Sequence, residues 1–185
     1  MTFGWIPNAI CILRIVLIAP LVLALFAGDY VLALILIVVA GFSDGVDGFL
    51  AKTFDWRTRL GGLLDPAADK LLLVSAFVCL TRLGLVPLAL TVIVILRDLA
   101  IVVGALLYQR IAGELEGEPT LISKLNTACQ LLFVVSVITH AEWQQPGPAW
   151  LMLLGAMVVF TSITSGLNYV LIWSKRFRQR TAGAG

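Results

Sequence analysis

Residues 42–70 read FSDGVDGFLAKTFDWRTRLGGLLDPAADK, between VLALILIVVAG at 31–41 and LLLVSAFVCL at 71–80. Both flanks have the composition of chain that lives in hydrocarbon. The segment between them carries Asp44, Asp47, Asp65 and Asp69. A carboxylate at a bilayer is expensive to keep and marks function by default. The flanks therefore decide the fold, and the aspartates decide the chemistry.

The rest of the chain repeats the character of the flanks. Of 185 residues, 60% are hydrophobic and 13% charged, and the mean hydropathy is +1.00. A membrane-crossing helix needs about 20 apolar residues. Six such runs can be drawn, over residues 7–26, 31–51, 62–83, 87–111, 121–139 and 150–173. AGDY, RLGLVP, AGELEGEPT and EWQQPGP separate them with turn-forming residues. The sequence thus predicts an all-α, polytopic membrane protein with six transmembrane helices. It forms one domain over 1–185, with a basic, flexible tail from about 175 to 185. The first apolar run is too long for a secretory signal, and no small-residue cleavage site clearly follows it.

Charge distribution gives the orientation. Lys52, Arg57, Arg59, Arg110 and the KRFRQR run at 175–180 fall on one side of the predicted spans, and only Arg82 on the other. The positive-inside rule places both termini and the aspartate segment at the cytosolic face. Trp5, Trp56, Trp143, Trp150 and Trp173 sit at predicted interfaces, as an aromatic belt requires. Cys11, Cys79 and Cys129 lie in apolar runs without a CxxC pair, which disfavours zinc and disulfides. His140 reads as an interfacial histidine and Asp55 as a loop charge. No nucleic-acid partner is expected.

Asp44 and Asp47 share a helix face with Gly48 and Ala51, because residues three, four and seven apart are neighbours on a helix. Gly61, Asp65 and Asp69 follow at intervals of four. Four clustered carboxylates cannot all remain ionised without positive charge among them. A hard divalent cation bound through oxygen, Mg²⁺ or Mn²⁺, suits them, and four carboxylates suit two ions. A pair of metals is the usual clamp for displacement at phosphorus. Gly48, Ala51, Gly61 and Gly62 leave room for a bulky group at the backbone. Lys52, Lys70, Arg97 and Lys124 supply cations at predicted cytosolic ends. Read from its residues, the chain is a metal-dependent enzyme acting on a phosphate ester at the membrane surface.

The same segment resembles the CDP-alcohol phosphatidyltransferases, whose motif is D-x2-D-G-x2-A-R-x8-G-x3-D-x3-D. Here it falls on Asp44, Asp47, Gly48, Ala51, Lys52, Gly61, Asp65 and Asp69 with every spacing kept. Lys52 stands where the family usually has arginine, keeping the charge without the planar fork. IPNAICILRI at 6–15 resembles the family's opening, with Pro7, Asn8 and Arg14. RDLAI at 97–101 and EPTLISKLNTACQL at 118–131 resemble the cardiolipin synthase branch, and phosphatidylglycerophosphate synthases share much of this layout.

The resemblance implies a six-helix, dimeric membrane enzyme in the bacterial inner membrane, with its site open to the cytosolic leaflet. Two metal ions would be held by Asp44, Asp47, Asp65 and Asp69, with Asp69 also the general base. Pro7, Asn8, Gly48, Ala51, Lys52, Thr58 and Gly61 would face CDP-diacylglycerol. An acceptor hydroxyl would attack the phosphorus bearing diacylglycerol, and CMP would leave. Arg97 and Lys124 would receive a phosphate-bearing, glycerol-based acceptor. Phosphatidylglycerol, giving cardiolipin, is favoured over glycerol 3-phosphate, giving phosphatidylglycerophosphate. The alternative from another class is a divalent-cation transporter. Against it, the carboxylates gather at one membrane face among cations that would repel a passing ion. A non-catalytic membrane scaffold would leave the spacing unexplained.

Overall fold

The computed structural model describes the backbone of residues 5–41, 61–112 and 121–182, and the side chains within 13–41, 70–104 and 121–169. All regular structure among these residues is helical. The elements are α1 (Trp5–Ala27), α2 (described over Tyr30–Gly41), α3 (Gly61–Arg82), α4 (Leu88–Ala112), α5 (Leu121–Trp143) and α6 (Pro148–Ala182). They overlap the six apolar runs. Asp44, Asp47, Gly48, Ala51, Lys52 and Thr58 lie outside the described residues.

Two turns show how local sequence ends these helices. Gly28 adopts φ +76; its N–H reaches the Leu25 carbonyl at 3.2 Å, and the Asp29 N–H reaches that of Ala24 at 2.9 Å. This paired 6→1 and 5→2 closure needs a residue with positive φ, which glycine supplies without strain. Asp29 then begins the next helix, its Oδ1 accepting from the Leu32 N–H at 3.0 Å, the N-cap role of a short carboxylate. Gly84, at φ +74, closes α3 the same way, with Leu85 N–H to Leu80 O at 2.9 Å and Gly84 N–H to Thr81 O at 3.0 Å.

Two helices outrun their apolar stretches. α5 continues to Trp143, where Gln144 at φ 58 donates its N–H to His140 O at 2.8 Å. The His140 ring Nδ1 meets the Pro146 carbonyl, also at 2.8 Å. α6 continues to Ala182, nine residues past the end of the predicted span at Trp173. The reason is plain in SKRFRQRTA: it holds no glycine or proline, and Lys, Arg and Gln are good helix formers. Loss of apolarity ended the predicted span, but it does not end a helix.

The chain divides into two compact units. The first contains Met1–Pro87 and Val134–Pro148, the second Leu88–Phe133 and Ala149–Gly185. In the first, α1 packs on α3, and Leu21, Ala24, Leu25, Ile37, Ala76, Phe77 and Leu80 are among its buried residues. In the second, Leu90, Val94, Phe133, Leu154 and Val158 are buried alongside several polar residues. Large apolar side chains point outward in both, such as Val16, Leu23 and Phe26 in α1 and Met152 and Phe160 in α6. Outward-facing apolar surface of this extent suits a lipid solvent. Among the described residues, Leu121–Trp143 and Pro148–Tyr169 are each long and apolar enough to cross a membrane.

Candidate active site

The second half of the aspartate motif lies on one unbroken helix. α3 begins at Gly61, so Gly61, Asp65 and Asp69 occupy its first turns at intervals of four. At 3.6 residues per turn, each step of four drifts by only about 40° and climbs about 6 Å. The three positions therefore form one stripe along α3. Continued down the helix, that stripe runs into Leu72, Leu73, Ala76, Phe77 and Leu80, the buried face of α3. The side chains of Asp65 and Asp69 lie outside the described residues; by register alone their positions continue the line of that face.

α1 carries a matching register. Arg14 and Leu21 are buried at 2% and 0% exposure, and Pro7 precedes them by the same interval of seven. Seven residues make almost two full turns, so Pro7, Arg14 and Leu21 share a face. Asn8 is the next position round. Pro7 thus falls in register with two buried positions of a helix that packs against α3, and its side chain lies outside the described residues.

Oxygen-only donors in this pattern fit a hard divalent cation better than a soft or imidazole-loving one. Asp65 and Asp69 are in register to serve together. Asp44 and Asp47 lie outside the described residues, and among the described residues no group of three or more His, Cys, Asp or Glu converges.

Arg97 and Lys124 belong to the second unit, and their side chains are among the described residues. Arg97, on α4, is 5% exposed. Its Nη1 donates to Asp98 Oδ1, while its Nη2 donates to Ser123 Oγ of α5 at 2.8 Å and to Ser165 Oγ of α6 at 2.6 Å. Its Nε–H has no hydrogen-bond partner among the described residues. A guanidinium in an apolar bundle must be paired, and here three helices share the task. Lys124 is exposed beside Ser123. One turn along, Asn126 is buried, and its Oδ1 accepts from Thr161 Oγ1 at 2.8 Å and Ser162 Oγ at 2.9 Å. Gln130, buried at 1%, follows on the same face of α5.

Ser123, Asp98 and Ser165 were not singled out in the sequence as functional residues. The available signal was faint: TSITSG at 161–166 places hydroxyls three apart on an otherwise apolar helix. Such residues hydrogen-bond across helices in membranes.

Comparison with known proteins follows the same lines. Human cardiolipin synthase (CMP-forming), from Homo sapiens, is 32% identical over 181 residues, covering 89% of this chain and 60% of that protein. The chain therefore spans about 60% of the length of this relative. CDP-diacylglycerol–glycerol-3-phosphate 3-phosphatidyltransferase of Bacillus subtilis is 28% identical over 180 residues, covering 89% of this chain and 92% of that one. A probable phosphatidylglycerophosphate synthase of Mycobacterium tuberculosis is 35% identical over 104 residues, 53% of this chain and 50% of its own length. None of these likenesses favours a transporter. The family model described as CDP-alcohol phosphatidyltransferase matches residues 4–164, and the chain belongs to that family.

Proposed function

We propose that the protein transfers the phosphatidyl group of CDP-diacylglycerol to a phosphate-bearing, glycerol-based alcohol and releases CMP. The observation that carries this reading is the unbroken motif from Asp44 to Asp69, whose second half falls at intervals of four on α3. Asp44, Asp47, Asp65 and Asp69 would hold two ions, Mg²⁺ or Mn²⁺. Bound there, the ions would offset the negative charge of the pyrophosphate and of the displacement at phosphorus.

The chain's own residues have distinct tasks. Asp69 accepts the proton that the acceptor hydroxyl must lose as it attacks, the work of a positioned general base. Gly48, Ala51 and Gly61 keep the approach to the helix backbones open for the CDP group. Lys52 and Thr58 contact that group, with Pro7 and Asn8 contributing from α1. Arg97 and Lys124 receive the acceptor's phosphate. With its Nη groups directed to Asp98, Ser123 and Ser165, Arg97 offers its charge and its Nε–H.

The six helices are read as six transmembrane spans. Both termini and the motif face the cytosol, and the enzyme works as a homodimer in the bacterial inner membrane. The branch is supported by RDLAI and EPTLISKLNTACQL and by the likeness to cardiolipin synthase, so phosphatidylglycerol is the favoured acceptor.

The test is purified protein with CDP-diacylglycerol, Mg²⁺ or Mn²⁺ and a panel of acceptors, with lipid products read by mass. Cardiolipin and CMP are expected from phosphatidylglycerol. Phosphatidylglycerophosphate without cardiolipin would move the assignment to glycerol 3-phosphate. Failure to release CMP with any acceptor would end the proposal.

A further inference from the structure

We infer that Ser165 and Ser123 are positioning residues for the acceptor phosphate, acting through Arg97. The inference rests on the proposed role of Arg97. It adds that the sixth helix, which enters the motif nowhere, takes part in acceptor selection.

The geometry is specific. Arginine has a long, rotamer-rich side chain whose planar fork is useful only when its orientation is fixed. Here Nη2 is held between two hydroxyls from different helices, Ser123 Oγ at 2.8 Å and Ser165 Oγ at 2.6 Å. Nη1 is held by Asp98. Three anchors on α4, α5 and α6 define the guanidinium plane. The stem is supported as well: a Cβ added at Gly166 would lie 3.8 Å from Arg97 Cγ. Ser165 and Gly166 therefore form a cradle, a hydroxyl under the head group and bare backbone beside the stem. Both lie just beyond the last residue matched by the family model, 164.

The anchors occupy both Nη nitrogens and leave Nε without one. Arg97 is 5% exposed, and its Nε–H is without a partner among the described residues. A buried donor of this kind is costly unless something completes it. A phosphate oxygen is the matching chemistry, since an ionised acceptor gives the stronger, charge-assisted bond. Because the side chain is already ordered by the protein, the incoming phosphate does not have to order it, which is how preorganisation raises affinity. The hydroxyls thus act on acceptor binding without touching the acceptor.

The test uses full-length protein in detergent or nanodiscs and measures KM for each substrate separately, kcat and thermal unfolding. Ser165→Ala should raise KM for the phosphate-bearing acceptor about tenfold, the scale of one hydrogen bond to a charged group. KM for CDP-diacylglycerol should stay within about twofold, as expected of a change confined to acceptor positioning. Ser123→Ala should do the same more weakly, because Ser165 makes the shorter contact. Ser165→Thr, which keeps the hydroxyl, should restore most of the acceptor KM. If Ser165→Ala lowers the unfolding temperature but leaves both KM values unchanged, the serine is packing alone and the inference fails. Equal rises in both KM values would also overturn it. If Arg97→Lys leaves acceptor KM untouched while wild-type turnover is intact, the acceptor role of Arg97 falls, and this inference with it.

Discussion

The two units keep their interiors together by different means. Among the described residues, the buried ones of the first are mostly apolar and often small: Ala24, Ala33, Ala40 and Ala76 with Leu21, Leu25, Ile37, Phe77 and Leu80. Arg14 and Ser136 are its buried polar exceptions among the described residues. The second buries Thr91, Arg97, Asp98, Asn126, Gln130, Ser162 and Ser165 beside a shorter apolar set. Between helices surrounded by lipid, apolar contact has little driving force of its own. Close packing of small residues and interhelical hydrogen bonds take over. The first unit uses the former, the second the latter. Among the described residues, the first unit buries few polar groups, whereas the second runs them through its interior.

The comparison is broken most severely by removing a motif carboxylate. Asp65→Asn and Asp69→Asn should each lower CMP release by at least about 10³-fold, since the charge stabilisation at phosphorus amounts to several kcal/mol. Folding should survive, because an amide fills the same volume. In the second unit, Lys124→Ala should instead raise acceptor KM by about tenfold and keep most of kcat, as loss of a binding contact does. Steady-state kinetics with both substrates varied separates these outcomes. Near wild-type turnover of Asp65→Asn at saturating metal would sink the assignment of catalysis to the first unit's aspartates.

Next in size is packing. Phe77 is fully buried in the first unit, and Phe77→Ala should cost about 3–5 kcal/mol, the usual range for emptying an aromatic site. Asn126→Ala removes the acceptor for Thr161 and Ser162. Interhelical hydrogen bonds in membranes average only about 0.6 kcal/mol, with a maximum near 1.7, so this cost should be the smaller one. Denaturant titration in mixed micelles would rank the two. A larger loss for Asn126→Ala would mean that hydrogen bonding dominates in the second unit.

The same contrast explains what could be read in advance. The aspartate motif is legible because its constraint is local: one helix, fixed intervals, charges where charges are rare. The turn after α1 is legible for a similar reason, since Gly28 and Asp29 are residues whose backbone and side chain favour such a turn. The extended end of α6 was missed because hydropathy reports the solvent of a helix and not its length. The Arg97 cradle was missed because its partners are 26 and 68 residues away. Serines in an apolar helix carry no mark of what they face. Only packing brings Ser123 and Ser165 to one guanidinium.

A last pair of modest effects comes from a glycine-to-alanine substitution made in each unit, and they should have opposite signs. Gly28 has no heavy atom within 4 Å of an added Cβ, but its φ is +76. Alanine there meets no neighbour and yet strains its own backbone, a cost of about 1–2 kcal/mol for a left-handed non-glycine residue. Gly155 sits within α6, where an added Cβ would lie 3.4 Å from Leu90 Cδ1 and 3.5 Å from Phe133 Cε2. Those are ordinary contact distances, and a helical glycine costs about 0.8–1.0 kcal/mol relative to alanine. Gly28→Ala should therefore destabilise the protein, and Gly155→Ala should stabilise it slightly. Gly155→Leu should reverse that gain, since overpacking a filled interface costs about 1–3 kcal/mol. Thermal unfolding of the three variants in one detergent checks the signs. Destabilisation by Gly155→Ala would show that the seam of α6 against Leu90 and Phe133 depends on bare backbone. The second unit would then rely on close packing as much as the first.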